Sequence, residues 1–312
     1  MGAQLRVYRR QIKSVQSTQK ITKAMELIAA SRIVKAQNRM NAARPYSSEL
    51  TRALAALGKN TSLKDPLLTG AEEPRRSAVL LITSDRGLAG GYSVNAIRRA
   101  NDLTAELRGQ GKEVARYVIG RKGVGYFRFR QLDVVDSWTG FSEQPDFLNA
   151  RGATEALVGA LSATSAGEHG GHPGVDELYV VYTTFESMIT QTPVAELIAP
   201  VSQAQIEDPD SEPAEDRGPK PAYDFEPESE TLLRTLLPRY VSARIFSALL
   251  ESAASESAAR RRAMKSASDN ASELIGTYTR LANQARQAEI TQEISEIVGG
   301  ADALAAAGSE IT

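Results

Sequence analysis

The chain has 312 residues, no cysteine and a formal net charge of −1. Without thiols there are no disulfides, zinc–thiolate sites or thiol nucleophiles, and the composition suits a reducing compartment. No apolar run reaches the ~18 residues a spanning helix needs, and the basic N-terminus leads into amphipathic sequence, so neither membrane insertion nor a secretory signal is expected.

Charge is unevenly spread. Residues 1 to 44 carry ten Lys or Arg against Glu26 alone, and residues 207 to 230 carry ten acids against Arg217 and Lys220. That polarity suits docking to charged partners; nucleic-acid binding would call for the basic face without an acidic counterpart, and none is expected.

The first segment, residues 1 to 60, is predicted helical. Leu5, Tyr8, Ile12 and Val15 form one stripe and Ala29, Ile33, Ala36, Met40 and Ala43 another, with a phase slip expected near Thr18 to Met25 and an interruption at Pro45. Pro66, Gly70 and Pro74 then mark a connector.

Residues 77 to 206 read as a Rossmann-like α/β domain. Strands are expected at 77–83, 114–119, 134–138, 178–185 and 194–201, with helices at 93–108 and from an Asp146 cap to about Ser162. The last two strands should pair antiparallel across the polar turn at 187–192. Glycines 87, 90 and 91 follow a strand and precede a helix, a place where backbone amides can hold a phosphate. The spacing is neither GxGxxG nor GK[ST], so a tight turn with Asp85 and Arg86 bonding neighbouring backbone or a facing helix is the preferred reading. Between Ser162 and Val175 lies a polar glycine-rich loop holding both histidines. Glu168, His169 and His172 have ligand chemistry, but a flexible solvated loop without preorganised geometry is expected, and no metal or cofactor.

Residues 207 to 228 are an acidic, proline-rich linker. From 229 to 312 the chain becomes a rod, with a heptad seam through Leu232, Leu236, Arg239, Ala243, Phe246, Leu250, Ala253, Ser257, Arg260, Met264, Ala267, Ala271, Leu274, Tyr278, Leu281, Ala285 and Ala288. Ala, Ser and Arg at seam positions hold two helices weakly, so this rod is expected to be surrounded by other protein. Pro238 marks a possible kink site, and Gly299 and Gly300 should end or weaken the helix.

Three stretches make a more specific pattern: QKITKAMELIAASR at 19–32, ITSDRGLAGGYS at 82–93 and RQAEITQEISEIVGGA at 286–301. With them the chain resembles, from end to end, the gamma subunit of F-type ATP synthases. The resemblance implies an α/β fold class with a long antiparallel coiled coil of N- and C-terminal helices plus the central Rossmann-like domain. It also implies a non-catalytic rotor shaft, coupling rotation of a membrane c-ring to ATP synthesis on catalytic beta subunits. Implied partners are the alpha and beta subunits of the hexamer, the epsilon subunit and the c-ring; the implied location is peripheral, on the cytoplasmic side of a bacterial plasma membrane.

By position, the resemblance gives Met25, Arg260, Gln287, Thr291, Glu293 and Glu296 to a beta-subunit contact, with Arg260 expected to pair with a beta-subunit acid. Ser84, Asp85, Arg86, Gly87, Tyr223 and Glu226 go to a foot region touching epsilon or the c-ring. The loop with Gly167, Glu168, His169, Gly170, Gly171 and His172 is similar to an insertion of actinobacterial members and is a candidate regulatory element, restraining rotation in the hydrolysis direction. The tail at 305–312 extends past the usual end. Competing readings are a coiled-coil scaffold with an α/β sensor domain, and a nucleotide-binding enzyme using the glycine-rich turn.

Overall fold

The computed structural model describes residues 2–58, 66–201 and 228–309. In chain order the elements are α1 (Gly2–Gly58), α2 (Pro66–Thr69), β1 (Arg76–Ile82), α3 (Tyr92–Gly109), β2 (Glu113–Ile119), α4 (Arg121–Phe129), β3 (Asp136–Trp138), α5 (Phe147–Ala163), β4 (Glu168–His169), β5 (His172–Pro173), β6 (Glu177–Phe185), β7 (Gln191–Ala199) and α6 (Ser229–Ser309). They group into two compact units. Met1–Ile28 and Arg261–Thr312 form one, Ala29–Arg260 the other.

The first unit is an antiparallel helix pair. Gln19 Nε2 donates to Ser272 Oγ at 2.6 Å, Thr22 Oγ1 and Ser268 Oγ share a hydrogen bond at 2.7 Å, and the rings of Tyr8 and Tyr278 lie 6.5 Å apart. As the number falls on α1 it rises on α6. The solvent-protected stripe of α1 continues from Val15 through Gln19, Thr22 and Glu26 to Ala29 in unbroken steps of four and three. The expected phase slip is therefore corrected: the heptad holds, and polar residues occupy three of its positions.

On α6 the seam is corrected at alternate positions. Met264, Ala271, Tyr278 and Ala285 face inward as expected, but the places between them fall one residue later, at Ser268, Ile275, Ala282 and Glu289, and Leu274 is left 46% exposed. Nearer the start of α6, Leu233, Leu237 and Tyr240 are buried while Arg239 is exposed. Neither Pro45 nor Pro238 interrupts its helix, and α6 continues past Gly299 and Gly300.

The second unit holds a five-stranded sheet in the order β3-β2-β1-β6-β7, parallel except for the β6/β7 pair. Alternate residues of each strand feed opposite layers. Leu80, Ile82, Tyr117, Ile119, Leu178 and Val180 pack with Leu157 of α5, Leu50, Leu54 and Leu57 of α1, and Leu233, Leu237, Val241, Ile245 and Leu249 of α6. On the other face, Val79, Leu81, Val118 and Val181 meet Ala96, Ile97, Ala100, Leu103 and Leu107 of α3 and Phe127 of α4. Asp146 caps α5 by accepting from Asn149 N.

Helix α4 was not expected, because Gly123 and Gly125 suppress its signal. Gly123 is needed there: a Cβ would lie 2.8 Å from Val118 Cγ1, and its N–H donates to Thr83 Oγ1. The loop at 162–175 is likewise corrected, from flexible loop to docked hairpin. Gly170 and Gly171, with φ of 58° and 81°, form the two-residue turn between β4 and β5. The His169 ring sits over Gly159, where a Cβ would lie 2.2 Å from it. His172 lies 3.7 Å from Asp136 and against Tyr117, whose phenol burial pushes up to about 12.

Candidate functional site

In open α/β sheets, ligands occupy the crevice at the carboxyl ends of the strands where the strand order reverses. Here that place lies beyond β1 and β6, and a stretch of α6 fills it. Nine successive residues, Ser252 to Arg260, are all buried, so these roughly two and a half turns of helix have protein on every side. Ser255 Oγ donates to Thr184 O at 2.9 Å, and Thr183 N donates to Ser252 Oγ at 3.5 Å, both at the end of β6. Small side chains let a helix approach backbone this closely, which explains SAASESAAR in the sequence. The expectation that other protein surrounds the rod is corrected for this stretch: the chain's own sheet, turn and loops do so.

The glycine-rich turn is committed to the same interior. Ser84 Oγ bonds Ser93 Oγ at 2.7 Å. Asp85 Oδ2 accepts from the N–H groups of Gly140 and Ser142 at 2.8 and 3.0 Å, its Oδ1 accepts from Arg121 N, and its own N–H donates to Ser142 Oγ. Leu88 takes a positive φ of 64°, and Gly87 offers its carbonyl to Arg260 Nη2 at 3.4 Å. The preferred reading of a tight turn bonded to backbone and a facing helix is what the geometry displays.

Arg260 and Glu143 centre an ionic network. Arg260 Nη2 donates to Glu256 Oε1 at 2.7 Å, and its Nη1 lies 3.3 Å from Glu143 Oε1. Glu143 Oε2 accepts from Arg32 of α1 and lies 3.6 Å from Arg86 Nη1. Burial pushes the Glu256 carboxyl up, against the pull of Arg260 and of a hydrogen bond from Ser142. Burial and Glu256 together push the Tyr92 phenol up. Further along α6, Arg244 pairs with Glu196 of β7, which also accepts from Tyr182 Oη at 3.0 Å.

The residues singled out in the sequence fall into three groups. Arg260 is buried, and the acid expected from a beta subunit is supplied inside the chain by Glu256 and Glu143, which is a correction. Ser84 and Asp85, assigned to a foot contact, are likewise turned inward; of that turn Arg86 and Leu88 are exposed. Gln287, Thr291, Glu293 and Glu296 are exposed on α6, Met25 is half-buried on α1, and Tyr223 and Glu226 lie outside the described residues. Sequence reasoning missed Glu143 and Ser142, which sit in a polar loop with no periodic signal. Among the described residues no group of three or more His, Asp or Glu is placed to hold a metal ion, and no helix is long and apolar enough to cross a membrane.

The second unit is thus a Rossmann-like sheet whose crevice is taken up by a stretch of its own long helix. The ATP synthase family profile matches residues 4–304. The chain is 58% identical over 310 residues to the ATP synthase gamma chain of Acidothermus cellulolyticus, covering 99% of this chain and 100% of that one. It is 57% identical over 318 residues to the ATP synthase gamma chain of Salinispora tropica, covering 100% of both. Among solved structures, a chain in the OSCP/F1/c-ring assembly of Euglena gracilis mitochondrial ATP synthase aligns with TM-score 0.67 at 17% identity, over 97% of this chain and 95% of that one. The rotor of the same enzyme gives 0.62 at 16%, over 93% and 100%. This chain belongs to the ATP synthase gamma chain family.

Proposed function

We propose that this chain is the central rotor shaft of a proton-translocating F-type ATP synthase, coupling rotation of a membrane c-ring to ATP synthesis on catalytic beta subunits. The observation that carries the reading is identity of 58% along essentially the whole length of a gamma chain. The antiparallel helix pair and the self-filled crevice support it, since both are suited to bearing load. The chain contributes contacts and not chemistry. An asymmetric shaft biases equivalent catalytic sites differently because its differential contacts with each differ.

Its partners in this reading are the alpha and beta subunits, the epsilon subunit and the c-ring, in a complex peripheral to the cytoplasmic face of the membrane. Gln287, Thr291, Glu293 and Glu296, exposed on one length of α6, are the proposed beta-subunit contact, with Met25 on α1. Tyr223 and Glu226 remain the proposed foot contact, and the β4–β5 hairpin the proposed regulatory element. The test is reconstitution of the complex into vesicles with and without this chain. ATP-driven proton uptake that requires the chain supports the reading; uptake of equal size without it defeats the reading.

A further inference from the structure

Glu143 lies in the loop joining β3 to α5, and its side chain is only 13% exposed. Three guanidinium groups from three different parts of the chain converge on its carboxylate. Arg32 comes from α1, Arg260 from α6 and Arg86 from the turn after β1. Without the carboxylate these cations would repel one another. Arg32 lies three residues inside the compact unit that begins at Ala29, and Arg260 is the last residue of that unit. The convergence is thus at the end of both helical stretches that belong to the unit.

The loop is itself fixed. Asp85 accepts from Gly140 N and Ser142 N, one residue from Glu143, and its own N–H donates to the Ser142 hydroxyl. Glu143 therefore grips both helices from a support tied to the sheet through the β1–α3 turn. A bidentate-capable carboxylate among charged partners gives directional bonds that resist sliding and twisting better than apolar contact alone.

We propose that Glu143 is a positioning residue for coupling: it locks α1 and α6 to the α/β domain so that turning force passes between them without slip. This rests on the rotor reading above. The experiment uses the complete complex in vesicles and reads protons pumped per ATP hydrolysed. Glu143→Gln lowers that ratio about twofold or more, and Glu143→Asp, which keeps the charge, holds it nearer the wild-type value. Should Glu143→Gln fail to assemble, Arg32→Gln carries the test, because Arg32 is partly exposed and its loss leaves Glu143 with Arg260; it lowers the ratio in the same direction. A wild-type ratio in Glu143→Gln, or in Arg32→Gln where Glu143→Gln does not assemble, overturns the proposal. A wild-type complex that does not pump at all counts against the rotor reading and not against the clamp.

Discussion

Arg260 Nη2 bonds Glu256 Oε1 at 2.7 Å across one helical turn, with side chains only 6% and 0% exposed. A charge removed from such a pair leaves its partner buried and uncompensated, which costs about 3–5 kcal/mol. Arg260→Ala is expected to destabilise the Ala29–Arg260 unit by that order. Replacing both members, as Arg260→Met with Glu256→Leu, costs less than the sum of the single changes. The single tryptophan, Trp138, lies in this unit and reports it by fluorescence in denaturant titrations. Additive losses would show that the pair is not coupled.

The Thr22–Ser268 hydroxyl pair is an apolar-seam position given to hydrogen bonding. Thr22→Val strands the Ser268 hydroxyl at a protected place and should cost about 1–2 kcal/mol, whereas Thr22→Val with Ser268→Ala should recover most of it. Helix-melting curves of the two variants decide the matter. A double variant no better than the single one would mean that the layer does not act as a pair.

Gly159 has room for the His169 ring only because it lacks a Cβ. Gly159→Ala raises helix propensity by about 1 kcal/mol yet displaces the β4–β5 hairpin. Its signature is faster amide exchange at Gly174 and Val175, whose N–H groups donate to Gly167 O and Ala160 O. Unchanged exchange there would mean that the hairpin is held without His169.

Asp176 accepts from the N–H groups of Arg75, Arg76 and Ser165. Burial pulls its carboxyl up, but these bonds outweigh burial and hold it below the ordinary 3.8. Its stabilising contribution is therefore complete above about 3.8 and is lost as pH falls through the lower folded value. The stability gap between wild type and Asp176→Asn should be level at neutral pH and narrow only in strong acid. A gap that changes between pH 7 and 5 contradicts this assignment, since a carboxyl held low stays ionised throughout that window.

Much of the second unit can be read along the chain. The buried strands at β1, β2 and β6, the antiparallel return of β7 and the Asp146 cap all follow from period and capping chemistry. Helix α4 was hidden by Gly123 and Gly125, whose value lies in contacts with Val118 and Thr83 that no local pattern encodes. The seam of α6 was misplaced at alternate positions because residue type favours Leu274, while the face turned to α1 is set by Ser268 and Ile275. Gln19, Thr22 and Glu26 read as a slip in the sequence because polar residues are ordinarily exposed, whereas here they lie on the protected stripe. The small residues at 252–259 were legible as a need for close neighbours, but not as neighbours within the same chain. Glu143 was illegible for a simpler reason: its partners stand 57, 111 and 117 residues away in sequence, and only folding brings them together.

The most direct test of the rotor reading uses the absence of native cysteine. A single cysteine in place of exposed Glu296 is joined by a disulfide to a cysteine introduced on the facing beta subunit of the assembled complex. The account predicts that ATP turnover stops when the bond forms and returns when it is reduced. Full turnover in complexes shown to be crosslinked would contradict it.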